Sequence, residues 1–178
     1  MLATTYAMIA KRADVAIPTA YNHFPTRPDL LTACMGHVAG QAPAFGPHMY
    51  DGLPAAPARL AALVHATFET YAYYFPWLRW AISEATSVPE IQRFLEHFRV
   101  LRRSLIEQAF APGFSGAPPP VLIAVADVLL DFHSWKALTT DRRVKRNRSE
   151  ALVTDALRAL LLHHKRARAT GKRGTRTS

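Results

Sequence analysis

Within five consecutive positions the chain sets out a hydroxyl, a phenol, an amide and an imidazole: Thr19, Tyr21, Asn22 and His23. Arg27 follows, and Thr5 stands upstream. Such groups donate and accept hydrogen bonds without long flexible stems, which suits contact with base edges and phosphate oxygens. Catalysis fits the chain poorly. His163 and His164 are adjacent, so on a helix they diverge by about 100° and cannot share a metal. No H-E-x-x-H, Gly-rich phosphate loop or serine elbow occurs, and the carboxylates are scattered. No catalytic residue, metal site, cofactor or enzymatic activity is therefore expected.

The polar run needs a rigid platform, and its flanks predict one. Thr5 can cap a short helix by accepting from Met8 or its neighbour, with Ile9, Ala10 and Ala13 on one face. Asp14 falls where the chain must turn sharply and tolerates a left-handed backbone; Val15 is expected to plug that turn. A second helix starts near Ala16 or Ile17, with Pro18 acceptable in its first turn. Pro28 and Asp29 open a third, with Leu30, Leu31, Cys34 and Val38 on its inner face. Two short helices and a tight turn form the plan of a helix-turn-helix reader of DNA.

At these residues the chain resembles the TetR family of bacterial transcriptional regulators. The family pattern stands here as Thr4, Thr5, Ile9, Ala10, Ala13, Val15, Thr19, Tyr21, His23, Phe24, Arg27, Leu30 and Leu31, all at matching spacing. Asp14, Ala16 and Ala20 depart from it, standing where the family has Gly, Ser and Leu. The family also places a further helix ahead of Thr4, where only Met1, Leu2 and Ala3 come first. The resemblance implies an all-α homodimer: an N-terminal head over residues 1–42, here lacking its first helix, and a C-terminal ligand-binding and dimerisation domain over 54–164. It also implies Thr5, Tyr21, His23 and Arg27 as phosphate contacts, and Ile17, Pro18, Thr19 and Asn22 facing the major groove. Tyr21 could instead be core with its hydroxyl reaching solvent, and Phe24 is expected to be core.

With 49% hydrophobic residues among 178, the chain can bury a real core. No window has the roughly eighteen uninterrupted apolar residues of a membrane span, and no signal peptide is read at the start; a cytoplasmic protein is expected. The one cysteine, Cys34, excludes an internal disulfide and is expected as a small core residue. Net charge is +9, which favours nucleic-acid partners. The charge gathers at Arg142 to Arg148 and Lys165 to Arg176, however, and the reading helix itself holds no Lys or Arg. Residues 165–178 are expected to be a disordered basic tail.

Proline and glycine between Gln41 and Pro57 mark a domain boundary. A helix over 58–75 follows, with Leu60, Leu63, Val64, Thr67, Phe68, Tyr71 and Tyr74 at helical spacing and Pro76 as its stop; Trp77 to Ala85 forms a separate short helix. From Pro89 a long helix turns Ile91, Phe94, Leu95, Phe98, Leu101 and Leu105 inward and Arg93, Arg99, Arg102 and Arg103 outward. Val121–Leu138 and a helix capped by Ser149 and Glu150, running to Leu162, are apolar on more than one face. That surplus predicts pairing with a second copy as a four-helix bundle.

Pockets between helices are mostly apolar with a few orienting polar groups. The residues Thr67, Phe68, Tyr71, Trp80, Phe94, His97, Phe98, Phe132 and His133 are the candidates for a small hydrophobic ligand, with Thr67, His97 and His133 expected to be buried. The reading is thus a ligand-responsive repressor that binds double-stranded operator DNA as a homodimer. Its rivals are a dimeric small-molecule-binding module without DNA function and a non-specific nucleic-acid-coating protein.

Overall fold

The computed structural model describes residues 4–174, with side chains to Arg166; every regular element among them is helical. The chain order is α1 (Tyr6–Ala13), α2 (Ile17–His23), α3 (Arg27–Gly40), a 3-10 turn (Pro47–Tyr50), α4 (Ala56–Glu84), α5 (Pro89–Phe110), a second 3-10 turn (Ala111–Gly113), α6 (Pro120–Leu129), α7 (Phe132–Lys136), a π turn (Ala137–Asp141) and α8 (Arg146–Gly174). None of the helices among the described residues is long and apolar enough to cross a membrane.

The helices divide into two units that do not follow chain order. Residues 1–42 join 74–97 in the first, and 43–73 join 98–178 in the second. The head therefore shares its unit with the end of α4 and the start of α5, both of which fall inside the 54–164 segment expected to stand apart.

In the second unit α4 buries Leu60, Leu63, Val64, Thr67, Phe68 and Tyr71, the stripe its helical spacing predicts. Each fully buried apolar side chain of this size contributes roughly 1.5 to 3 kcal/mol. Tyr50 donates its hydroxyl to the Leu105 carbonyl at 2.8 Å, and Arg59 reaches the carbonyls of Leu53 at 2.6 Å and Gln108 at 3.2 Å. These bonds fasten the Pro-rich segment to α4 and α5.

Three expectations are corrected here. Pro76 lies inside α4 rather than ending it. The helix gives up one backbone bond, costing about 3 kcal/mol, and continues because Tyr71 before it and Leu78 after it are both buried. The expected helix over 121–138 is broken, because the Asp131 side chain accepts from the His133 N–H at 2.8 Å and starts α7 afresh. Arg102 is not on an outer face but only 5% exposed. Among the described residues the backbone of α8 runs on to Gly174. Residues 175–178 and Met1 to Ala3 lie outside the described residues.

The burial of Arg102 is compensated. Its Nε donates to Asp127 Oδ1 at 2.9 Å, its Nη1 to the Tyr71 hydroxyl at 2.6 Å, and Asp131 Oδ2 stands 3.6 Å from Nη1. The Tyr71 hydroxyl in turn donates to the Leu130 carbonyl at 2.9 Å. Burial pushes the Tyr71 phenol well above its ordinary range, with Arg102 pulling the other way. Removing one partner of a buried ion pair strands the other charge. Asp127→Ala is therefore expected to cost on the order of 3 kcal/mol, at the low end because Asp131 remains, read as a lower urea midpoint. Thr67→Val has the opposite sign. The Thr67 hydroxyl is buried without a hydrogen-bond partner, and removing that desolvated group is expected to add roughly 1 kcal/mol in the same measurement.

Candidate DNA-binding head and apolar cavity

The head begins with a capped helix. Thr5 Oγ1 accepts from Met8 N at 3.3 Å, and Asp14 ends α1 in the left-handed region at φ 54°, both as the sequence predicts. Val15 does not plug the turn. It is 43% exposed, and the turn is held instead by its backbone N–H on the Ala10 carbonyl at 3.0 Å.

Helix α2 carries Pro18 in its first turn and has no side-chain cap at Ala16. Its Ala20 is buried. Helical periodicity of about 100° per residue then points Pro18 and Asn22 away from Ala20, sets Thr19 and Tyr21 at the flanks, and leaves Ile17 and His23 about 60° from Ala20 on either side. Thr19 is half-buried, and Ile17, Pro18, Tyr21, Asn22 and His23 are exposed. Arg27 is exposed as the first residue of α3. Phe24, expected to be core, is half-buried.

Two features of the head escaped sequence reasoning. Tyr6 stacks on Tyr21 with ring centroids 4.1 Å apart and planes 10° from parallel, and donates its hydroxyl to the Phe24 carbonyl at 2.7 Å. One side chain at the start of α1 thus holds the end of α2 and fixes the plane of Tyr21. Thr26 and Asp29 form a capping box on α3, with Asp29 N on Thr26 Oγ1 at 3.3 Å and Thr26 N on Asp29 Oδ2 at 3.1 Å. That box was legible in the T-x-x-D spacing.

Beside these helices the first unit holds a cavity of about 680 Å³. Ile9 of α1, Phe24 at the end of α2, Tyr74 and Trp77 of α4, and Ile91 and Phe94 of α5 form its walls. Helix α3 contributes Leu30, Ala33, Cys34, His37 and Val38, a stripe at spacings of three and four along one wall. Cys34 is accordingly exposed, not the core residue its stripe suggests. No Lys, Arg, Asp or Glu lines the cavity.

The ligand candidates fall into two sets. Thr67, Phe68, Tyr71, Phe98 and Phe132 lie in the second unit, where the Tyr71 ring sits 5.8 Å from Phe98, 5.6 Å from Phe132 and 5.9 Å from Trp135. That cluster is packed core. Trp80, Phe94 and His97 belong to the first unit, and of these Phe94 lines the cavity. Trp80 is 55% exposed. His97 and His133, expected to be buried, are exposed, since each lies off the inward arc of its helix.

A short polar helix turned outward on a capped, latched partner is a helix-turn-helix DNA-binding head. Residues 1–34 match the family model described as bacterial regulatory proteins, tetR family. That match covers the head alone and supports reading it as one of TetR type. Comparison with curated proteins and with solved structures gives no match.

Tyr6→Ala removes the stack and the hydroxyl bond together. An aromatic pair contributes about 0.5 to 1.5 kcal/mol and a hydrogen bond about 1. Amides of α1 and α2 are therefore expected to exchange with deuterium at least about tenfold faster, while those of α8 keep their rates.

Proposed function

We propose that the protein is a ligand-responsive repressor that binds operator DNA as a homodimer and is released by a small hydrophobic effector. The observation that carries this reading is the exposed face of α2, held by the Tyr6 latch in a head of TetR type. Ile17, Pro18, Thr19 and Asn22 face the major groove, Ile17 and Pro18 by apolar contact such as to a thymine methyl. Thr5, Tyr21, His23 and Arg27 reach phosphate oxygens. The assignment of these contacts rests on the resemblance together with their exposure.

Pairing is supported by the second unit. Val121, Val125 and Val128 of α6 are 60%, 40% and 66% exposed at spacings of four and three, so they form one apolar stripe. On α8, Leu152 and Leu162 are each 54% exposed. The α6 stripe together with these two exposed leucines of α8 suits an isologous four-helix contact with a second copy. Two heads then engage DNA about one helical turn apart, roughly 34 Å, and lose affinity together when one is displaced.

Titration of the protein against DNA from its own upstream region is expected to give a sequence-preferring complex at moderate salt. His23→Ala and Tyr21→Ala should each weaken it, whereas a chain that forms no such complex is a dimeric binding module instead. Binding that ignores sequence and vanishes on trimming residues 165–178 would identify a nucleic-acid-coating protein. Val128→Glu is expected to shift the sedimenting species from dimer to monomer and to lower DNA affinity with it. A monomeric parent protein would defeat the pairing.

A further inference from the structure

Where the π turn of the second unit hands over to α8, the short segment from Arg142 to Arg148 carries Arg142, Arg143, Lys145, Arg146 and Arg148, all exposed. The acids beside this loop are already engaged. Asp141 holds Lys136 at 2.7 Å, and Glu150 and Glu69 hold Arg146 at 2.6 and 3.5 Å, with His65 also 3.2 Å from Glu150. Among the described residues that leaves Arg142, Arg143, Lys145 and Arg148 without a carboxylate at ion-pair distance. The first turn of α8 contains no acid either, so the positive end of its dipole adds to the same field. Unpaired like charges this close repel one another and cost stability until an anion answers them.

The backbone beneath the charges is fixed. The Arg142 N–H donates to the Ala137 carbonyl, the Val144 N–H to that of Leu138 and the Ser149 N–H to that of Lys145, each at 3.0 Å. The cluster is therefore a standing surface and not a loose arm. What the loop lacks narrows the partner. Val144, its one apolar residue, is half-buried, so nothing in the loop can enter a bilayer. It has no aromatic ring on which an unpaired base could stack. Guanidiniums in a fixed array suit phosphate oxygens held in a fixed array, and a duplex carries one phosphate charge per about 1.7 Å of its axis.

We propose that loop 142–148 is a second nucleic-acid contact, on which Arg142, Arg143, Lys145 and Arg148 bind the phosphates of a double helix without reading its sequence. The inference goes beyond the regulator reading and does not depend on it, because it concerns the second unit and a duplex of any sequence.

The test titrates the full chain with a short duplex of scrambled sequence over a series of salt concentrations. Each phosphate contact given up lowers the steepness of log K against log salt by about 0.9. Arg143→Gln with Arg148→Gln should therefore lower it by about two and weaken binding. Arg93→Gln with Arg103→Gln, which removes two cations already facing Glu90 at 3.0 Å and Glu107 at 3.6 Å, should barely change it. Acetylation of Lys145 in the parent chain should slow about tenfold under saturating duplex, a readout that needs no variant to fold. No duplex binding, a steepness that the loop pair leaves unchanged, or equal losses from the two pairs overturns the proposal. So does a Lys145 that acetylates as fast with duplex as without, including the case in which Lys165 is protected in its place, which would give the phosphates to the end of α8. Loop-dependent binding to anionic vesicles or to poly-glutamate as tight as that to the duplex would assign the surface to a membrane or an acidic protein, and also overturns it. The two readings fail separately: a loop-dependent salt response without sequence preference keeps this contact and drops the regulator, and sequence preference with an unaffected salt response does the reverse.

Discussion

A helix of seven or eight residues cannot hold itself in water, because isolated helices shorter than about 12 to 15 residues are marginal. Helices α1 and α2 have eight and seven, so the face that α2 presents exists only while something outside the helix enforces it. Little buried area is available for the purpose: the buried side chains among the first forty described residues are Ala10, Ala20 and Leu31, and two of them are a single methyl. What remains is geometry. Thr5 and Asp14 satisfy the two ends of α1, and Tyr6 ties its first turn to the last carbonyl of α2 while stacking on Tyr21. The stack matters twice, because Tyr21 is also one of the proposed DNA contacts: a ring whose orientation is already fixed loses less conformational entropy in any complex it forms.

The second unit meets a different constraint. Its wide apolar stripes bury so much of α5 that a cation comes inside with them, and Arg102 is tolerated because two carboxylates and a phenol surround it. That network fixes Tyr71, and Tyr71 in turn carries Phe98, Phe132 and Trp135 at ring-contact distance. Aromatic residues at helical spacing therefore end as a closed core around a satisfied ion pair.

Local chemistry was the part most legible in the sequence. The Thr5 cap, the left-handed Asp14, Pro18 in a first turn and the α4 stripe follow from rules that involve a few neighbouring residues, and the structure has each of them. What sequence could not supply depended on partners far along the chain. Arg102 looks solvated until Asp127 and Asp131, about 25 residues on, are brought beside it. Pro76 looks like a stop until burial on both sides outweighs one lost backbone bond. Asp131 was hidden by an apolar run that reads as one helix. For the site the split is the same: exposure of Pro18 and Asn22 follows from the period around Ala20, whereas the exposure of Ile17 and His23, which share its side of the helix, and the cavity could not be foreseen. Leu30, Cys34 and Val38 read as a core stripe because spacing reports which side chains share a face, not whether anything fills the space in front of them.

That distinction gives α3 its place in the molecule. Its first residue, Arg27, is a candidate phosphate contact; its capping box at Thr26 and Asp29 anchors the same turn; and its stripe from Leu30 to Val38 forms one wall of the cavity. All three are on one helix of fourteen residues, and an α-helix transmits a displacement along its axis with little loss because its backbone bonds are all internal. Head and cavity thus share a wall, and a shift of the α3 axis carries Arg27 and the stripe from Leu30 to Val38 together.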